Sequence, residues 1–399
     1  MPNTLLSISD ITRETLRVLH NNLSFTRAAN RQYDSRFANS GFKIGDTLRI
    51  RLPNRYTIRT GKTLATNDTS ERVVNLSLVN QKGVDMVFSS AELTLSLDDF
   101  SERIIKPAAS RLASEIDSDG LLEYQNVSSQ VGTPGVTPGT SRVWLDAGAT
   151  LSRFATPKDN MRYTCLDPDA EAATVDGLKG LFQDSALVAE QYRMGSMGRA
   201  LGFNFGMDQN VAMHTVGLYG GVPLVAGAAQ SGSLLITDGW PATTPVLNKG
   251  DIFTIAGVNS VNPETGKDTG KLQQFVVTAN VTSSGTGTLT IPIFPAITTT
   301  GALKTVTNSP ADNAAITVEG TAGASYPINM AHHKEAFALG TADLEMPRGV
   351  DMASREVYDG ISIRLVRQYD INNDNFPCRL DVLYGWLTAR PEYACRVIG

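Results

Sequence analysis

Four histidines, three cysteines and a few closely spaced acids are the residues of this 399-residue chain that could do chemistry. His332 and His333 are neighbours, but no third metal ligand follows at a known spacing, so they read as a structural pair. His20 falls at the end of a helical stretch, where a cation suits the helix dipole, and His214 has no evident partner. Asp167 and Asp169 flank Pro168 and mark a turn. In YDINNDNFP, Asp370, Asn372 and Asp374 have the spacing of the first three ligands of a calcium loop, with Asn375 beside them. The glycine and the late glutamate of such a loop are missing, and Phe376 and Pro377 stand there instead, which leaves a polar hairpin turn. Cys165, Cys378 and Cys395 are an odd set without a CxxC pair, expected to be free thiols in a reducing compartment. GxSxG, HExxH, GxxxxGK[ST] and GxGxxG are all absent. No catalytic residue, metal or cofactor is expected, and the chain reads as a non-enzyme.

Charge points to association instead. The net charge is −5. Between Met1 and Thr60, ten Lys/Arg face four acids, a net of +6 that leaves −11 for the remainder. A basic front and an acidic remainder attract each other, within one chain or between copies. Arg49, Arg51, Arg55 and Arg59 lie on strands with only Tyr56 as an interleaved aromatic, where a nucleic-acid groove would want several. Docking on acids of a neighbouring copy is the better expectation for these four.

Around them the sequence lays out its elements. Leu5, Ile8, Leu16 and Leu19 put a helix over 4–22, and 23–44 is polar and basic with little period. Alternation of Leu48, Ile50 and Leu52, then Val74, Leu76 and Leu78, then Leu93, Leu95 and Leu97, predicts a long β-hairpin over 45–97 with a polar tip at 60–70 and a turn at Lys82-Gly83. Phe100, Ile104, Ala108, Leu112 and Ile116 recur every four residues and predict a long helix over 98–125, kinked or opened by Pro107. A Gly/Pro/Ser/Thr-rich loop follows at 126–142. From about 222 to 327 the chain is nearly free of charge, with short apolar runs at even spacing, as a small barrel or sandwich requires. Ile361, Ile363 and Leu365, then Cys378, Leu380, Val382, Tyr384 and Trp386, alternate as two paired strands near the core. The N-terminus has no basic region followed by an apolar one, and no apolar run approaches the roughly 20 residues of a bilayer span.

This order resembles the coat proteins of tailed bacteriophages with the Hong Kong 97-type fold, in particular the short-tailed Salmonella phage coats that carry an insertion domain. LSLDDFSERIIKPAASRLASEID (95–117) is similar to the hairpin end and spine helix, and GSMGRALGFNFGMDQNV (195–211) to the stretch leading into the insertion. LNKGDIFTIAGVNSV (247–261) resembles strands of the insertion, and RLDVLYGWLTARPEYA (379–394) the closing strand. The resemblance implies an α+β fold with an N-terminal arm (1–44), an extended β-hairpin loop (45–97), a peripheral domain with the spine helix (98–142), an axial domain (143–221), an inserted all-β barrel domain (222–328), and closing axial and peripheral strands (329–399). It implies a homo-oligomer of pentamers and hexamers, built in the host bacterial cytoplasm with a scaffolding protein. Double-stranded DNA would enter through a portal and meet the shell by non-specific contacts, the shell would expand on maturation, and a decoration protein could bind; no membrane is involved. Arg13, Arg17, Arg27 and Arg31 would face the interior. Arg49, Arg51, Arg55, Arg59 and Lys62 would lie on the loop between subunits. Some members of the fold crosslink a lysine to an asparagine, for which Lys62 is the candidate, but the insertion-domain subgroup is not expected to do so. An encapsulin-like compartment shell and a phage tail or surface adhesin are the alternatives.

Overall fold

Ile361, Ile363 and Leu365 point to one side of their strand, and Cys378, Leu380, Val382 and Tyr384 do the same on the next. The two strands, Ile361–Arg367 and Asn375–Thr388, pair antiparallel with Leu365 opposite Leu380. The apolar rows therefore merge into one face. In the computed structural model, residues 8–33, 47–59, 61–64, 72–89, 106–178, 198–358 and 360–399 are described. The chain divides into two compact units. The first comprises Met1–Ile50, Val73–Gly120 and Phe337–Ala389, and the second Arg51–Arg72, Leu121–Ala336 and Arg390–Gly399.

In the first unit Asn375–Thr388 is the central strand. Phe337–Ala342 and Asn80–Ser89 pair with it antiparallel, Met352–Tyr358 extends the sheet beyond Ile361–Arg367, and Asn30–Tyr33 runs parallel to Phe337–Ala342. The helices Ile8–Asn22 and Lys106–Leu121 cover the apolar face with Leu16, Leu19, Ala109, Leu112 and Ile116. Each such large side chain contributes roughly 1.5–3 kcal/mol on burial.

Two expectations change here. Lys82-Gly83 is not a turn: Asn80–Ser89 runs through it and joins the body sheet, and the predicted alternation at Leu93, Leu95 and Leu97 lies outside the described residues. Gly83 permits the strand pairing, because a Cβ there would strike the backbone of Leu380 on the paired strand. Residues 23–33 are no loose arm, since Phe25–Ala28 is a helical turn and Asn30–Tyr33 a sheet strand. The spine helix is seen from Lys106 to Leu121, with a tighter turn over Leu122–Asn126. Pro107 sits in its first turn, where a missing N–H costs nothing, and Phe100 and Ile104 lie outside the described residues.

The second unit has two large sheets among the described residues, besides the short pair Pro245–Leu247 and Val281–Thr282. One contains Ala394–Ile398, Ser325–His333, Arg162–Leu166 and Phe203–Met207, backed by the helices Ser141–Arg153 and Pro168–Leu178 through Trp144, Leu151, Leu166 and Phe203. The other runs in the order Leu224–Val225, Gly232–Asp238, Leu289–Ile297, Asp268–Val277, Ile252–Val261, Ile316–Val318. Its interior is apolar and aromatic, with Phe253 and Phe275 stacked at 5.8 Å.

Candidate assembly surface

Among the described residues the strands Thr47–Leu52 and Arg72–Ser77 pair only with each other, a two-stranded ribbon. Such a ribbon is marginal in water unless something covers it. Its base is anchored. Leu76 and Leu78 are buried over a notch made by Gly340 and Gly385, which face each other on paired strands of the first unit. A Cβ at Gly385 would collide with the Ser77 carbonyl, and one at Gly340 with the Leu76 side chain.

The far end of the loop is different. Ile58 is 92% exposed, Leu64 78% and Tyr56 56%. Arg49, Arg51, Arg59 and Lys62 are exposed as well. Arg59 folds over the tip, donating to the carbonyls of Gly61 and Thr63. Arg55 departs from the group: its guanidinium donates to Glu392 of the same chain at 2.7 Å, on the turn Pro391–Tyr393. Its charge is satisfied within the subunit, which argues against Arg55 as a contact for a neighbour. Sequence reasoning could not foresee a partner 337 residues away.

The N-terminal cations divide similarly. Arg13, Arg17 and Arg27 are exposed and Arg31 is half-buried. Arg17 pairs with Glu14 at 2.6 Å, one helical turn away. Between these cations and the spine sits a contact with no sequence signature. The buried Asp117 carboxylate accepts from the backbone N–H of Ser24 (2.6 Å), Phe25 (3.2 Å) and Thr26 (2.9 Å), and from the Thr26 hydroxyl (2.6 Å). It caps the turn Phe25–Ala28, whose own N-cap residue Ser24 makes no side-chain cap. Elsewhere on the spine, Lys82 reaches Glu115 and Asp119, both at 2.8 Å. Burial pulls the lysine down, but the two carboxylates outweigh it and hold the ammonium above its ordinary value. Tyr384 also donates to Asp119, and Trp386 donates to the Ile116 carbonyl. Ala108, Leu112 and Ile116 of the predicted spine stripe are buried.

Residues 5–399 match the family described as P22 coat protein - gene protein 5. The chain belongs to this family. It is a major capsid protein: copies of the coat protein build the icosahedral shell of a bacteriophage virion, and its described residues form an α+β fold. The compartment-shell and adhesin readings are set aside on the family assignment. Solved structures similar to the chain include Mycobacterium phage Che8 (12% identity, TM-score 0.46, 94% of this chain and 90% of that one). The asymmetric unit of the bacteriophage PhiM1 mature capsid is another (12%, 0.43, 94% and 86%). So is the satellite phage P4 procapsid including size determination (Sid) protein (10%, 0.44, 99% and 92%). No curated protein matches the chain.

The chemically suggestive residues of the coat protein serve its packing. His332 is fully buried, stacked on Tyr163 at 6.3 Å. Burial, partly offset by the His333 carbonyl at its Nδ1, pushes its imidazole down to about 4. His333 meets Asp159 at 3.0 Å. His214 lies buried between the Tyr124 hydroxyl (3.0 Å) and the Asp251 carboxylate (2.8 Å), which also accepts from the N–H of Asn248 and Gly217. Arg396, also buried, lies over the Tyr124 ring and donates to the Gly250 carbonyl and Gln130. This network joins the turn 248–251 to the strand Met213–Thr215 and the last strand, and only the long-range fold assembles it. The three cysteines are free and buried, and burial pushes Cys378 up to about 11 and Cys395 to about 12. Asp370 accepts from the N–H of Asn372 and from Asn373, and Asp374 from the Tyr369 hydroxyl, which closes a hairpin turn. No group of three or more His, Cys, Asp or Glu among the described residues could hold a metal.

Proposed function

We propose that the ribbon between residues 47 and 77 docks on a neighbouring subunit within pentamers and hexamers. In this reading the subunits first close a procapsid around a scaffolding protein. Double-stranded DNA then enters through a portal, the shell expands, and decoration proteins are the remaining class of partner. The segment 222–328 is the inserted domain, set between the axial segment 143–221 and the closing axial and peripheral strands 329–399. The observation that carries the docking is the exposure of Ile58 and Leu64 at the end of a ribbon that has no third strand among the described residues. Two large aliphatic side chains left in water forgo about 3–6 kcal/mol that a covering surface would supply. Arg49, Arg51 and Arg59 add charge steering toward the acidic remainder of another copy.

Changing Ile58 and Leu64 together to serine is expected to cut the yield of sedimenting particles at least tenfold. The subunit's urea midpoint is expected to stay unchanged, because neither side chain packs in the monomer. Particles formed at wild-type yield defeat the docking. The subunit does no covalent chemistry in this reading, so Lys62 forms no crosslink and particles dissolve to single chains in denaturing gels.

Arg13, Arg17 and Arg27 form an exposed basic face on residues 8–28, which supports an interior position against scaffold or DNA. Protease is expected to cut this segment slowly in closed particles and quickly in free subunits. Equal rates would place it outside.

A further inference from the structure

A cleft in the second unit holds two polar groups that the subunit itself does not satisfy. Arg72 is half-buried there and makes no ion pair or side-chain hydrogen bond among the described residues. The nearby cations Arg55 and Arg390 are committed to Glu392 and Glu335, at 2.7 and 2.6 Å. Desolvation and the Arg55 guanidinium together hold Arg72 below the usual arginine value. On the same wall, the Asn54 side-chain oxygen is buried with no hydrogen-bond partner. Tyr56 and Phe154 supply aromatic surface beside them.

Those needs define the occupant. Arg72 wants an anion, Asn54 wants a donor, and the rings want an apolar group. A phosphate offers no apolar group for the rings, whereas an acidic peptide turn offers a carboxylate, backbone N–H groups and an apolar side chain together. The assembling coat protein carries such a turn. Ile371, 79% exposed, is the most exposed large apolar residue outside the ribbon among the described residues. Asp370 and Asp374 flank it, and the bonds from Asn373, Asn372 and Tyr369 hold the turn in shape.

We infer that the hairpin tip 369–374 of one subunit inserts into the cleft around Arg72 of another. Asp374 then pairs with Arg72, a turn N–H reaches Asn54, and Ile371 lies against Tyr56 and Phe154. This rests on the self-assembly of the chain, and it concerns a contact separate from the ribbon tip.

The test is charge exchange in the full-length protein. Arg72→Glu and Asp374→Arg are each expected to lower the yield of sedimenting particles at least tenfold, and the double variant to restore it to within threefold of wild type. A double variant as poor as either single one overturns the contact. Crosslinking provides a second readout, independent of whether Arg72→Glu folds. In shells carrying both Asn54→Cys and Ile371→Cys, oxidation is expected to give a ladder of covalent oligomers on a non-reducing gel. The native cysteines are buried and stay silent. Assembled shells without a ladder, or a ladder from either single variant, refute the insertion. Wild-type shells that still need Ile58 and Leu64 would leave the ribbon docking intact when this contact fails.

Discussion

Asp117→Ala is expected to lower the subunit's unfolding free energy by about 3–5 kcal/mol, since it strands buried backbone donors that had a charged acceptor. Four hydrogen bonds converge on that carboxylate, three of them from the consecutive N–H groups of Ser24, Phe25 and Thr26. Water cannot replace the acceptor, because Asp117 is only 1% exposed and Phe25 packs against Phe337 and Trp386 at about 5.5 Å. A loss of that size is a large part of the roughly 5–15 kcal/mol that holds a typical domain together. The damage is expected to be local first. Hydrogen exchange at residues 24–28 should accelerate at denaturant concentrations where the Asn375–Thr388 strand is still protected. Asp117→Asn keeps one acceptor oxygen but presents an NH2 to donors, so it should lose more than half as much as alanine does. A wild-type urea midpoint and unchanged protection at 24–28 in Asp117→Ala would show that the arm is held by something else.

The second large effect is on pH dependence. His332 titrates near 6.5 in an unfolded chain and at about 4 in the fold, because its burial excludes the charged form. Between those values the unfolded chain binds the extra proton, so unfolding is favoured as pH falls. The stability tied to the neutral imidazole is complete above about pH 6.5 and is lost progressively down to about 4. The full difference is about 3 kcal/mol, at 1.36 kcal/mol per unit. The His333 carbonyl at Nδ1 favours the charged form, but it does not outweigh the burial, and a charged His333 opposes it. Urea midpoints of wild type and His332→Gln measured from pH 7 to 4.5 should converge as the pH falls, once other titrations cancel in the difference. Parallel curves would mean that His332 becomes protonated without cost.

Local periodicity made much of this readable. Ala108, Leu112 and Ile116 recur at a helical spacing, and that spacing alone makes them one buried stripe. The alternation through Ile361–Leu365 and Cys378–Tyr384 marks two strands with one shared apolar face, and the structure pairs them. Gly83 misled because glycine marks a turn and a close strand approach equally well in sequence, and only the neighbouring Leu380 decides between them. Residues 23–33 looked shapeless because their order comes from elsewhere: a carboxylate more than 90 positions away and the strand Phe337–Ala342. The assembly cations show the same limit. The ion-pair partner of Arg55, Glu392, lies 337 residues away, while the half-buried Arg72 nearby makes no ion pair among the described residues.

By itself the sequence determined the classes of element, the charge asymmetry, the absence of a familiar catalytic motif and the order of segments that ties the chain to phage coats. Each depends on residues close together along the chain, or on sums over it. Tertiary structure alone decided which charges are paired inside the subunit and which stay exposed, and which glycines serve as notches. Those outcomes depend on burial and on partners brought together by chain closure, and neither is encoded within any window of neighbouring residues.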